Sequence, residues 1–522
     1  MKETSSQPVA DDAPLRPAKD PVKGRVTRLL KAWPEALLLL LTVVLAIPVA
    51  MMAGPAFVGP GQPLSTPAPP AWQRPPATLA PRQGLPPLQD SAPVPLPSAV
   101  STQLEALLKA DGGGGFTGLV QDALTGQVLF DRGGSDNRIP ASNMKLLTAV
   151  AALRALGPDH RFSTRVLSGP AAGQVVLTGG GDVLLGAGDS MPAQVMGHAG
   201  LATLAVSTVA ALKEKGTAGQ VTVLVDDSLF SGPALNPAWA QGDVEAGEQA
   251  PLFPLALNSA RFDPVATTGP RPQDSAVTAA QAFAAQLKAA GAAAGLSVTD
   301  GVARFQASSG PAPSGPASSG PAPSAPAADG GGPAVLAEVQ SATVSQQVDL
   351  MLQTSDNYLA EILGRMSAVA AGQPGSNTGA TEAVRKQLTE LGIPTDTMRL
   401  ADVCGLALDN QVSARQFAEV VRAITSGTDT RLRTALAGFP VAGLTGTLGA
   451  RYGDNATARG AGLVRAKTGT LNSVIALSGY VVDADSRLLV FSFIGNGLTP
   501  GAAGNKEALD RAATALAACG CR

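Results

Sequence analysis

Fourteen prolines fall between residues 55 and 97, and they set the first limit on what this chain can build. Proline lacks the backbone N–H that helices and sheets use and fixes φ near −65°. Residues 54–100 therefore cannot bury a core and tend to extended polyproline conformation. At about 3.1 Å per residue, such a linker holds the C-terminal body on the order of 100 Å from the N-terminal segment. A passive spacer is the plainer alternative.

The N-terminal segment contains an uncharged apolar run, ALLLLLTVVLAIPVAMMA at 36–53, about long enough to span a bilayer. Lys19, Lys23, Arg25, Arg28 and Lys31 stand before it, and no positive charge comes after it until Arg74. The positive-inside rule places residues 1–35 in the cytoplasm as a basic segment and the body outside. The run is longer than a usual signal core and no clean A-x-A site comes after it, so the reading is a retained single-pass anchor. A cleaved signal peptide competes with it.

Order is expected from about residue 101. STQLEALLKA reads as a helix, and FTGLVQDALTGQVLFDR reads as a hairpin around Leu124-Thr125-Gly126. RIPASNMKLLTAVAALRAL is the next helix. Residues 172–306 differ in character, with strand-like QVVLTGGGDVLL and QVTVLVDDSLF and two Ala-rich helical stretches. Residues 307–334 are a low-complexity Ala/Pro/Ser/Gly loop. Helical patterns return at 335, with Ser413 and Gln416 in capping-box positions. Two strand-like runs, VIALSGYVV and RLLVFSFIGN, and a last helix close the chain.

The chain has a formal net charge of −2, two His and three Cys. The charge gives no reason to expect a nucleic-acid partner. Cys404, Cys519 and Cys521 form no CxxC pair, and His160 and His198 lie far from each other in sequence, which argues against a Cys/His zinc site. With so little histidine, an acyl-transfer site would use another base.

Ser–Lys chemistry is such an alternative. Ser142 and Lys145 are three residues apart at the start of a helix, on one face. A buried lysine with a lowered pKa can take the serine proton, and a serine at a helix start can offer its N–H to a developing oxyanion. Alone, Ser-x-x-Lys reads as a helix cap and a surface lysine. Ser355-Asp356-Asn357 adds a hydroxyl that can relay a proton and an amide that can bind a substrate carbonyl, though Ser355 can equally cap the next helix. Lys467-Thr468-Gly469-Thr470 precedes a strand-like run. Lys467 supplies positive charge, Thr468 or Thr470 binds a terminal carboxylate, Gly469 lets a substrate backbone lie close, and the Thr470 N–H joins that of Ser142 around the oxyanion. The order S-x-x-K, S-x-N, K-T-G matches the trio used by serine β-lactamases and penicillin-binding proteins.

With PASNMK (140–145), SDN (355–357) and RAKTGTL (465–471), the chain resembles the D-alanyl-D-alanine carboxypeptidase/endopeptidase family, the S13-type low-molecular-mass penicillin-binding proteins. GGGDVLL, DDSLFSG, ADVCGLALDNQVS and PVAGLTGTL extend the likeness from about 101 to the C-terminus. The resemblance implies an α/β (α+β) penicillin-binding transpeptidase-like domain at 101–171 and 335–522. It implies an antiparallel sheet flanked by helices and a β-rich insertion of one or two extra domains. The interval of about 210 residues between Ser142 and Ser355 suits such an insertion. It also implies a cell-wall serine peptidase of stem peptides, inhibited covalently by β-lactams and needing no metal or organic cofactor. Ser142 would be nucleophile and Lys145 base. Ser355 would serve the leaving amine, and Asn357, Lys467, Thr468, Gly469 and Thr470 would bind substrate. A β-lactamase or esterase on the same scaffold is the nearer rival, weakened because Glu390-Leu-Gly-Ile lacks the Asn of a deacylating E-x-x-L-N motif. A non-catalytic cell-wall binding protein is the other. Cys404 stands where the family commonly has the Ser of D-G-S-G-L, which would alter substrate fit if that side chain lines the cleft. Cys519 and Cys521 can pair outside the cell or remain free thiols.

Overall fold

A computed structural model describes residues 90–306 and 333–521. The apolar run at 36–53, most of the Pro-rich linker and nearly all of the low-complexity loop lie outside the described residues. Among the described residues no helix is long and apolar enough to cross a membrane. The first helix, Pro97–Leu107, begins inside the stretch assigned to the linker. Proline is tolerated in the first helical turn, where its missing N–H has no intrahelical partner to lose, and Val100 and Leu104 bury the helix against the body.

Five antiparallel strands form the main sheet, in the order 465–471, 474–482, 488–499, 113–122, 128–132. Its central strands are apolar on both faces because both are covered. Leu489, Phe491 and Phe493 face one layer, with helices Pro97–Leu107 and Lys506–Ala517. Val490 and Ile494 face the other, a bundle of helices Met144–Ala155, Val344–Thr354, Asn357–Ala370, Asn377–Glu390 and Ala414–Ser426. Met144–Ala155 runs through the middle of that bundle, with ten of its twelve residues buried. The Ser413/Gln416 capping box forms as the spacing predicts.

The chain between these halves builds a second, mixed sheet with helices Leu201–Glu214 and Ser275–Gly291 packed on it. This sheet reaches beyond 172–306 at both ends. Ser163–Ser168 pairs with Gln174–Thr178 and with Val335–Gln340, so the strands entering and leaving the insertion close its edge. Gly179-Gly180-Gly181-Asp182 then carries the chain back to the peptidase helices. A Cβ at Gly180 would stand 2.1 Å from Ser163 O, and one at Gly181 would stand 2.6 Å from Met366 Sδ. The irregular stretch after Gly219–Asp226 also returns, and Trp239, Leu252, Ala256 and Ala260 join the core of the helical bundle. The insertion thus lies against the site rather than apart from it. Cys519 and Cys521 are bridged.

Candidate active site

Ser142 does not open a regular α-helix. It lies in a 3-10 turn, Ala141–Asn143, ahead of the helix Met144–Ala155. Ala141 takes φ +48°, a left-handed conformation rare for a residue with a Cβ. Neighbours fix this turn from three sides. Buried Asn143 donates to Ser478 Oγ on the sheet at 2.6 Å, and Ser478 Oγ donates to Ser492 Oγ at 2.8 Å. A Cβ at Gly405 would stand 1.9 Å from Ala141 O. At Gly469 it would meet Pro140 O, Ala141 Cβ and Ser142 N at 2.9–3.1 Å. Gly469 therefore has a reason other than substrate approach: it lets the serine turn rest on the strand Arg465–Leu471.

Lys145 points from the first turn of its helix back to Ser142, with Nζ–Oγ at 3.0 Å. The side chain is fully buried. Its amine also reaches Asn357 Oδ1 and the Cys404 carbonyl, each at 2.7 Å. Those two oxygens can only accept. A neutral amine has two N–H bonds for them and a lone pair left over, and the remaining neighbour is Ser142 Oγ. Burial lowers the Lys145 pKa, opposed in part by Cys404, Asp402, Asp356 and Glu361. Desolvation favours the unprotonated amine, and the geometry then leaves its lone pair beside a hydroxyl.

Ser355 is the left-handed residue (φ +58°) that ends the helix Val344–Thr354. It does not cap the next helix; Asp356 does, accepting from Leu359 N. Ser355 Oγ is left free to take a hydrogen bond from Lys467 Nζ at 2.9 Å. Lys467 is fully buried on the edge strand of the main sheet, and its other acceptor is Thr468 O at 2.7 Å. Burial, and then the nearby Lys145, hold its pKa well below the usual lysine value. An adjacent anion favours the ammonium form of such a buried lysine. Thr468 shares a hydrogen bond with Thr447 Oγ1 at 2.7 Å.

These residues meet at a cleft of about 590 Å³ whose lining includes Ser142, Ser355, Asn357, Thr468 and Thr470. Several of its supports give no sign in the sequence. Asn357 Nδ2 donates to the backbone carbonyl of Glu248, at 3.0 Å, and Arg261 pairs with Asp356 at 2.8 Å; both partners come from the insertion. Cys404 does not line the cleft. Its side chain is buried, its Sγ donates to Asp402 Oδ2, and burial pushes the thiol pKa up.

Glu361, Asp402 and Cys404 are, among the described residues, a buried trio close enough to suggest a metal. Glu361 Oε1 already accepts from Val403 N and Cys404 N at 2.9 and 2.8 Å. Asp402 accepts from Gly405 N, Ala407 N, Asn410 Nδ2 and Trp239 Nε1. The two carboxylates are engaged in shaping the turn that offers the Cys404 carbonyl to Lys145. Burial, reinforced by Asp402, pushes the Glu361 carboxyl up to about 7. Glu390, the residue nearest to a deacylating-Glu motif, instead pairs with Arg154 at 3.3 Å.

The chain matches the model of the D-Ala-D-Ala carboxypeptidase 3 (S13) family over residues 100–306 and 323–517. It is 36% identical over 458 residues to a carboxypeptidase of Mycobacterium tuberculosis, covering 87% of this chain and 90% of that one. Carboxypeptidase DacB of Mycolicibacterium smegmatis is also 36% identical, over 92% of this chain and 96% of its own length. Among solved structures, penicillin binding protein 4 (dacB) of Haemophilus influenzae shares the fold. It aligns with a TM-score of 0.58 at 22% identity, over 79% of this chain and 98% of that one.

The packing at Gly469 yields a test. Gly469→Ala should push the Ser142 turn off the strand and slow acylation about 100-fold, since misplacement near 1 Å costs that order. The check is stopped-flow acylation by a chromogenic β-lactam, with circular dichroism confirming the fold. Unchanged acylation would contradict the packing argument.

Proposed function

The chain belongs to the D-Ala-D-Ala carboxypeptidase 3 (S13) family, and we propose that it cleaves peptidoglycan stem peptides through an acyl-enzyme on Ser142. The reaction is that of a serine D-Ala-D-Ala carboxypeptidase. The observation that carries the assignment of roles is the Lys145 amine, held by two acceptor-only oxygens with its third neighbour the Ser142 hydroxyl.

In this reading Lys145 removes the Ser142 proton as Oγ attacks the carbonyl between the two D-alanines. The Ser142 and Thr470 N–H groups hold the oxyanion. The C–N bond breaks, and the proton taken by Lys145 ends on the leaving amine with Ser355 as relay. Lys467 pairs as an ammonium with the terminal carboxylate, which Thr468 and Thr470 also bind. Asn357 keeps one amide N–H on Glu248 O and turns the other to a stem-peptide carbonyl. Water, activated by Lys145, then releases the acyl group. β-Lactams enter by the same attack and stay bound as covalent inhibitors. The same residues serve a D,D-endopeptidase, which differs in what fills the cleft. Residues 36–53 are read as the anchor that holds this body outside the membrane, at the reach of the linker. Deletion of residues 1–53 should then move the protein from the membrane to the soluble fraction, and retention in the membrane would remove the anchor from the account.

The activity test is D-alanine release from diacetyl-L-Lys-D-Ala-D-Ala across pH. Release should rise with pH through the depressed pKa of Lys145, because only the neutral amine is a base, with the inflection below the ordinary lysine value of 10.5. Lys145→Arg imposes a permanent charge and has no neutral form in this range. It should be inactive at every pH, as should Ser142→Ala. Release by either variant at the wild-type rate would sink these assignments.

A further inference from the structure

Arg271, in the insertion, is buried, with 9% of its surface exposed. An arginine keeps its charge in such a place, so its N–H groups need strong acceptors. It has no ion pair among the described residues; its acceptors are backbone carbonyls. Nε donates to Gly247 O at 2.6 Å, and Nη1 donates to Ser259 O at 2.9 Å and to Ala260 O at 3.4 Å. One guanidinium thus joins two separate stretches of the insertion.

Both stretches have unusual backbone. Asn258, Ser259 and Ala260 take φ of +53°, +57° and +53° in succession. Each is disfavoured for a residue with a Cβ, and such a run persists only where its neighbours hold it. Gly247, at φ +79°, rests on Gly269, where a Cβ would stand 1.8 Å from Gly269 O. Both stretches also end on the S-D-N turn. Arg261, directly after the left-handed run, pairs with Asp356, and Glu248, directly after Gly247, gives its carbonyl to Asn357 Nδ2 at 3.0 Å.

The Glu248 contact decides which end of the Asn357 amide Lys145 meets. With Nδ2 kept on a carbonyl, Oδ1 must face Lys145 Nζ, and it does so at 2.7 Å. A turned amide would offer an N–H to the lone pair of the neutral amine, in competition with Ser142 Oγ.

We propose that Arg271 is a positioning residue for acylation: it ties the Gly247–Glu248 stretch to the left-handed run before Arg261 and so fixes the face that Asn357 turns to Lys145. The inference rests on the peptidase reading above. Arg271 lines the cleft but makes no hydrogen bond to Ser142, Lys145 or Asn357. It acts through the Glu248 carbonyl.

The test is a double-mutant cycle on the rate of acylation of the full-length protein by a chromogenic β-lactam, with the final fraction acylated read by intact mass. Arg271→Met should slow acylation about 100-fold, the order that misplacement near 1 Å costs, while nearly all of the protein still labels in the end. Asn357→Ala should also slow it. In that background Arg271→Met should add less than about threefold, because the amide it acts through is gone. A brace that only stabilises the insertion would lower the fraction that labels and leave the rate of the folded remainder unchanged. An Arg271 that binds the β-lactam itself would keep its full effect in the Asn357→Ala background. Either result overturns the proposal, as does a wild-type rate in Arg271→Met. If Arg271→Met does not fold, Arg271→Lys decides. Its ammonium has no rigid fork to span Gly247 O and Ser259 O, so it should slow acylation at least about tenfold, again only while Asn357 is present. A wild-type rate there overturns the role. If the wild type itself does not label, the peptidase reading fails; if it labels and the Arg271 variants do not behave in this way, only the positioning role fails.

Discussion

Lys145 Nζ lies within 3.0 Å of three oxygens from three distant parts of the chain: Ser142 Oγ, Asn357 Oδ1 and Cys404 O. An amine in a fully buried place loses most of its hydration, so the neutral form gains and the acceptors must supply what water no longer does. Much of the surrounding structure serves this one point. The central helix carries Lys145 through the bundle. Asp402 and Glu361 hold the turn that presents the Cys404 carbonyl. The insertion holds the S-D-N turn, by Arg261 on Asp356 and by the Glu248 carbonyl on Asn357.

The second buried amine, Lys467, stands in a different relation to its surroundings. Its partners are a hydroxyl and a carbonyl, both neutral. The site thus contains two lysines whose pKa burial lowers, one proposed as the base and the other as the partner of a substrate's terminal carboxylate. The edge position of the strand Arg465–Leu471 adds to it, since beyond the Val441–Arg465 bridge its outer side pairs with no further strand among the described residues and can align an extended peptide.

The side chains of the site are legible in the sequence because their chemistry is rare in that order. Ser142, Lys145, Ser355, Asn357, Lys467 and the Thr-Gly-Thr run stand out without any knowledge of where the chain turns. Their surroundings do not. Cys404 acts through its carbonyl, and every residue has one, so its residue type carries no signal and draws attention to a thiol that points away from the cleft. Glu248 also acts through its backbone. Arg261 and Arg271 are ordinary surface residue types until the fold brings them to the cleft. Gly469 stands out in its motif, but its reason, the packing of the serine turn on the strand, needs a contact across more than 300 positions in sequence. The strands Ser163–Ser168 and Val335–Gln340 belong to the second sheet because they pair with each other. Long-range pairing of that kind leaves little trace in local composition.

The most direct test of the central claim is the intact mass of the full-length protein after incubation with benzylpenicillin, with peptide mapping of the modified chain. A single stable penicilloyl adduct should map to the peptide that holds Ser142 and should be missing from Ser142→Ala and Lys145→Arg. No adduct on the wild type, or an adduct on another residue, would contradict the account.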